Sequence, residues 1–184
     1  MRKIEDFDKV KEATNFPKLE PGPQIVKIVE VIDVEDKEYL QVHVEIAHGD
    51  LKGEFQRQKE AFGADEWPAQ GILRRSYKKK ALPFFKRFIV AVEKSNEDFK
   101  FDFDEQKLVG RYFVANYGIE EYDNGTEIKE SIKIQEARSV KSLKEGNIEI
   151  PKPKRLSKKE HDKYARKPEQ AVPGIDISED DLPF

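Results

Sequence analysis

The chain contains no cysteine. That excludes a disulfide framework and thiolate chemistry, and it fits a reducing cytoplasm. No stretch approaches the ~20 apolar residues of a membrane span, and Met1–Phe7 has no hydrophobic signal core. No membrane partner is therefore expected. Histidine is scarce: His43, His48 and His161 lack ligand spacing, and without cysteine there is no zinc signature. No glycine-rich phosphate loop is present. Asp102-Phe103-Asp104-Glu105 is the one run that suggests metal-ion chemistry, but no companion carboxylates on other strands can be named for it. It reads as an exposed acidic turn, with Phe101 and Phe103 packed inward. No catalytic residue, metal or cofactor is expected.

What the sequence has in quantity is charge. Of its 184 residues, 39% are charged and 37% hydrophobic, which is enough for one modest core. The net charge of −3 says little, because the charges are segregated. From Gln70 to Val92 there are seven bases and no acid, and from Pro151 to Lys167 eight bases stand against Glu160 and Asp162. From Asp176 to Phe184 there are four carboxylate side chains and no base.

Taken in order, residues 1–23 read as an N-terminal arm broken by Pro17, Pro21 and Pro23. Gln24–Val34 is a strand rich in Ile and Val. Lys37–Ala47 alternates cleanly, with Leu40, Val42, Val44 and Ile46 on one face, and forms a hairpin with the first strand. Glu54–Lys59 reads as a third strand. Ala61–Ser76 has no period and reads as a long loop. In Ala81–Ser95, Phe85, Phe88, Ile89 and Val92 fall at helical spacing. Lys107–Glu121 is a fourth strand and Glu127–Val140 a fifth. Asn124-Gly125 between them calls for a type I′ hairpin. In the fifth strand, Ile128, Ile132 and Ile134 point inward and Lys129 and Lys133 outward. The fold expected is mainly β with one helix, a five-stranded OB-fold barrel in the order β-β-β-α-β-β over residues 24–150. A basic, proline-containing linker follows over 151–175.

Single-stranded nucleic acid needs cations for its phosphates and aromatic faces for its bases. Arg74, Arg75, Tyr77, Lys78, Lys79 and Lys80 are the densest mixture of both, more than a solvated surface requires. Trp67 stacks on bases or plugs the core. Phe55, Arg57 and Lys59 share a face of the third strand: either Phe55 is core and the bases lie at the strand end, or all three face the ligand. Arg111, Phe113 and Tyr117 share a face of the fourth, where Phe113 suits the core and Arg111 the ligand. Lys129 and Lys133 complete the candidate nucleic-acid contacts.

Asp176, Glu179, Asp180 and Asp181 lead into Leu182-Pro183-Phe184. Such a segment cannot bury enough apolar surface to fold alone. It can dock in a partner, with Phe184 in an apolar pocket and the acids on a basic rim. Read as the end of the chain, Phe184 adds a terminal carboxylate.

Glu179-Asp180-Asp181-Leu182-Pro183-Phe184 resembles the acidic tip of bacterial single-stranded DNA-binding proteins, with Leu182 where Ile is usual. That tip recruits replication and repair enzymes. The body is similar, over roughly residues 24–155, to single-stranded DNA-binding proteins encoded by phages and prophages of Gram-positive bacteria. The resemblance is carried by Ala81–Asn96, Phe101–Gly110, Glu121–Thr126, Ala137–Val140 and Gly146–Pro151. It implies a protein of phage DNA replication, recombination and repair in the cytoplasm of a bacterial host. Its partners would be single-stranded DNA and, through the tip, replication and recombination enzymes. Homo-oligomerisation stays open.

Overall fold

The alternation in the second strand is realised as read. Leu40, Val42, Val44 and Ile46 are buried, and the strand β2 (Tyr39–Ile46) pairs antiparallel with β1 (Gly22–Val34). The computed structural model describes residues 17–165. Asp176–Phe184, residues 1–16 and the linker beyond Ala165 lie outside the described residues. Within the described part, Leu19 of the arm is buried in the core.

β1 is long because two neighbours share it. Its first half, Gly22–Lys27, pairs with β4 (Tyr112–Asp123), and Val26–Val34 pairs with β2. The register shifts between Ile28 and Glu30, leaving Val29 as a bulge that bends the strand. β3 (Ile72–Ser76) extends β2, and β5 (Ile128–Arg138) extends β4. The result is one open antiparallel sheet in the order β3-β2-β1-β4-β5. Among the described residues no strand ladder joins its edges, β3 and β5, so the expected barrel is not closed by pairing there.

Several expectations need correction. The sequence suggested one helix, but four α-helices are described. α1 (Glu54–Phe62) occupies the segment read as the third strand. Its period-two pattern rested on one apolar residue, Phe55, while Glu, Gln, Lys, Arg and Ala are good helix formers. Glu45 of β2 caps this helix: its carboxylate accepts from Phe55 N (3.1 Å) and Gln56 N (2.7 Å). The third strand is instead Ile72–Ser76, inside the segment read as a loop. α2 (Leu82–Ser95) stands as expected, with Phe88, Ile89 and Val92 buried. Phe88 meets Phe113 edge-on, with ring centroids 5.5 Å apart. The fourth strand begins five residues later than read, because Glu105–Leu108 is a 3₁₀ turn. The β4–β5 hairpin is present, but its loop is four residues, Asn124–Glu127. Only Gly125 there has positive φ, which rules out a type I′ turn. The Asn124 side chain holds the loop by accepting from Thr126 N and Glu127 N. α3 (Val140–Lys144) follows β5.

Residues 151–165, read as the start of a linker, are bound to the sheet. Lys154 pairs with the part of β4 that outruns β1: its N–H donates to Ile119 O and its carbonyl accepts from Glu121 N, both at 2.9 Å. Glu121, buried, accepts from Arg155 Nη1 (2.5 Å) and Leu156 N (2.9 Å), and lies 2.9 Å from His161 Nε2. The short helix α4 (Lys158–Ala165) is further tied through Lys163 and Tyr164 to Asp123.

These contacts make the strap acid-sensitive. Hydrogen bonds from Lys163, Tyr164 and Gly125 N hold the Asp123 carboxyl at about 2. The Leu156 amide, His161 and Arg155 lower Glu121. A carboxylate lowered by folding stabilises the folded state above its unfolded pKa, and that contribution is lost as pH falls through the folded value. Between about pH 4 and 2, the Lys154 and Glu121 amides should therefore lose hydrogen-exchange protection before the β1–β2 ladder does. Simultaneous loss in both places would contradict this. No helix among the described residues is long and apolar enough to cross a membrane.

Candidate nucleic-acid interface

Strand register decides which side chains share a surface. Ile32, Gln41 and Arg74 lie side by side across β1, β2 and β3, flanked by Glu30, His43 and Ile72 on one side and Val34, Tyr39 and Ser76 on the other. Lys27 and Tyr112 extend this face onto β4, with Lys27 Nζ 6.0 Å from the Tyr112 ring centroid. The opposite face carries Val26, Val31, Leu40, Val42 and Leu73, which are core.

Trp67 closes one end of the outer face. Its ring stacks on His43 at 6.0 Å with planes 7° apart, its Nε1–H donates to Val44 O at 3.0 Å, and Lys59 Nζ lies 5.7 Å from its centroid. Half of the indole is therefore fixed, and half borders a groove of 410 Å³ lined also by Val29, Glu30, Glu45, Gln56 and Lys59. The two sequence readings of Trp67, plug and platform, describe its two sides. Gly71 makes the arrangement possible, because a Cβ there would meet Trp67 Nε1 at 2.4 Å and Phe55 Cδ2 at 2.8 Å. Gly71→Ala should destabilise by about 1–3 kcal/mol, the usual cost of overpacking. Thermal unfolding checks this, and an unchanged midpoint would mean that Trp67 is not held in place.

The face combines aromatic and apolar surface with cations. Val29, Ile32 and Tyr112 are 36–40% exposed, and Lys27, Lys59 and Arg74 stand among them. Its two carboxylates are engaged: Glu45 caps α1, and Glu30 Oε2 lies 2.7 Å from His43 Nδ1.

Of the residues singled out in the sequence, Lys59, Trp67 and Arg74 are brought together here. Arg57 is not. With its segment helical, it lies off the Phe55–Lys59 side and pairs with buried Glu54 at 2.6 Å. Phe55 and Phe113 are core, and so is Tyr117, whose burial raises its hydroxyl. Arg111 covers the ring of buried Phe99 at 4.7 Å. Lys129 and Lys133 belong to the other edge strand and face Glu127 (3.1 Å) and Glu120 (3.9 Å). Arg74 and Arg75, adjacent in sequence, point to opposite faces, Arg75 to the core side beside Leu73. Tyr77 donates to Asp33 at 2.8 Å, and that bond is the main cause of its rise to about 12, with Glu35 and Glu38 adding to it. Lys78, Lys79 and Lys80 form an exposed turn before α2, not part of the helix, and border that acidic hairpin end.

Sequence reasoning missed Lys27, Ile32, Gln41 and Tyr112. Their parity within well-read strands was the available signal, but the side of the sheet left open could not be known. Phe103 is 88% exposed, against the expectation that it packs inward. Asp102 pairs with Lys107 at 2.5 Å and Asp104 caps the 3₁₀ turn. Among the described residues no cluster of His, Asp or Glu could hold a metal ion. No protein-family model matches this chain, and no curated protein matches it either.

Proposed function

We propose that this chain is a single-stranded DNA-binding protein. In this reading residues 24–150 are an OB-type barrel that coats DNA, and Asp176–Phe184 recruits replication and recombination enzymes of a phage or its bacterial host. The observation that carries it is the outer face of the sheet, where Lys27, Tyr112, Ile32 and Arg74 lie on β1, β4 and β3, with Trp67 and Lys59 at one end. Cations and ring faces on one surface suit a polyanion whose bases are unpaired. The fold supports the reading. Its support is a long first strand paired with both β2 and β4, the order β3-β2-β1-β4-β5 and a helix between β3 and β4; in an OB-fold the strand 2–3 face binds oligonucleotides.

Titrating a dT oligonucleotide against Trp67 fluorescence over a range of salt tests it. Each neutralised phosphate on a single strand adds about −0.7 to the log–log salt slope, so four to six contacts should give roughly −3 to −4. A flat slope, or preference for duplex, would overturn the proposal.

A second reading, an adapter that sequesters enzymes and has only incidental DNA affinity, is favoured by one feature. Leu82 and Phe103 are 48% and 88% exposed beside Phe85 and Phe101, an apolar groove at the α2 end of the domain. Exposed patches of this kind often mark protein contacts. The same titration separates the two, because an adapter needs no salt-dependent DNA binding.

A further inference from the structure

Among the described residues β3 and β5 are the two edge strands of the sheet, and Arg75 reaches across the gap between them: its Nη2 donates to Gln135 O at 3.4 Å. A cleft of 220 Å³ opens there, lined by Arg75, Arg87 and Lys154, with Phe84 and Glu136. Glu136, its one carboxylate, is already engaged, accepting from Arg138 Nε (3.1 Å) and Nη2 (2.9 Å). Among the described residues no carboxylate lies within 4 Å of Arg75, Arg87 or Lys154. Three cations therefore share a cleft with no ion-pair partner among the described residues, and one of them is half-buried on the core side of its strand. Arg75, partly desolvated beside a second guanidinium, is costly to keep charged unless an anion joins it. The cost is visible at Arg75, which burial and then the charge of Arg87 push down to about 10, against a smaller opposing pull from Glu136.

We propose that this cleft binds one internal phosphate of the single strand, an assignment that rests on the DNA-binding reading above. Guanidinium groups match phosphate oxygens with a fixed fork, which favours this anion. The volume limits the ligand: 220 Å³ is below the ~300–1,000 Å³ of sites for whole drug-sized molecules. A phosphate fits, and its base stays outside. Phe84, 61% exposed and with Arg87 at 5.8 Å, stands in the lining to offer that base a ring. Register supplies the route. Arg74 faces the outer surface and Arg75 the cleft, so a strand that wraps the β3 edge meets both in succession.

The test uses the full chain with Arg87→Gln and Lys154→Gln together, leaving Arg75 in place because it joins the two edges. Both side chains are exposed, so the thermal midpoint should hold. Affinity for a dT oligonucleotide should fall about tenfold, and the salt slope should become shallower by about 0.7. Lys158→Gln with Lys159→Gln on α4 should change neither. Unchanged affinity and slope in the cleft variant would overturn the assignment. A second arm follows the arginine side-chain Nε–H signals by NMR as inorganic phosphate is added. If the wild type binds no single strand, the DNA-binding reading fails and this arm judges the cleft alone. Saturable shifts at Arg75 and Arg87 in the wild type, with the Arg75 shift lost in the variant, would uphold an anion site, and absent shifts would remove it. Phosphate shifts with no loss of strand affinity in the variant would overturn the strand assignment.

Discussion

Replacing Lys27, Lys59 and Arg74 together with glutamate should weaken binding to a dT oligonucleotide at least a hundredfold at moderate salt. Each reversal removes a cation from the outer face and adds repulsion toward a phosphate. At about 1 kcal/mol apiece the three give roughly 3 kcal/mol, which is two decades in affinity. The fold should tolerate the change. Lys27 and Arg74 are exposed and Lys59 half-exposed, and their cation–ring and hydrogen-bonded contacts with Tyr112, Trp67 and Gln41 are worth about 0.5–1 kcal/mol each at such sites. Glutamate at Lys78, Lys79 and Lys80 should cost less, about tenfold or 1.4 kcal/mol. Those lysines lie beside the acidic hairpin end that surrounds Tyr77, where Asp33, Glu35 and Glu38 already oppose a phosphate. Mobility shift and fluorescence titration at matched ionic strength check both variants. Equal losses for the two sets would mean that net charge, and not the arrangement of the outer face, drives binding.

Deleting Leu182–Phe184 should abolish recruitment of partner enzymes, because it removes the aromatic anchor while leaving Asp176, Glu179, Asp180 and Asp181 in place. DNA affinity should stay the same or rise. Removing all of Asp176–Phe184 should raise it more, since the acids can compete with phosphates for the same lysines and arginines. The chain length permits this: Asp176 is eleven residues beyond Ala165, a span of at most about 36–40 Å, against a radius of gyration near 15 Å expected for a domain of this size. The gain should fade between 0.1 M and 1 M salt, as the Debye length shrinks from about 10 to about 3 Å. Binding of purified replication and recombination enzymes to each form, with oligonucleotide titrations alongside, measures both effects. Loss of DNA binding in the longer deletion would place the segment in the fold or in an oligomer interface and end the docking hypothesis.

The sequence by itself determined the elements whose apolar residues repeat locally. In β2 every second residue from Leu40 to Ile46 is apolar, and in α2 Phe85, Phe88, Ile89 and Val92 recur at helical spacing, so each face was readable without knowing its partner. Asn124-Gly125 marked the hairpin between β4 and β5, though not its loop type, which the Asn124 side chain decides. Tertiary contacts decided the rest. Glu54–Phe62 has too few apolar residues to show a period; Glu45, reaching over from β2, caps it as a helix. Ile72–Ser76 becomes a strand only because β2 offers it an edge. The same pairing sends Arg74 to the outer face and Arg75 into the cleft, a separation invisible in a run of bases. Lys154 is held by the part of β4 that β1 leaves unpaired, and Arg57 is drawn off by buried Glu54. Composition showed that cations and rings were present, but which of them share a surface depends on strand register and on long-range partners that local spacing does not encode.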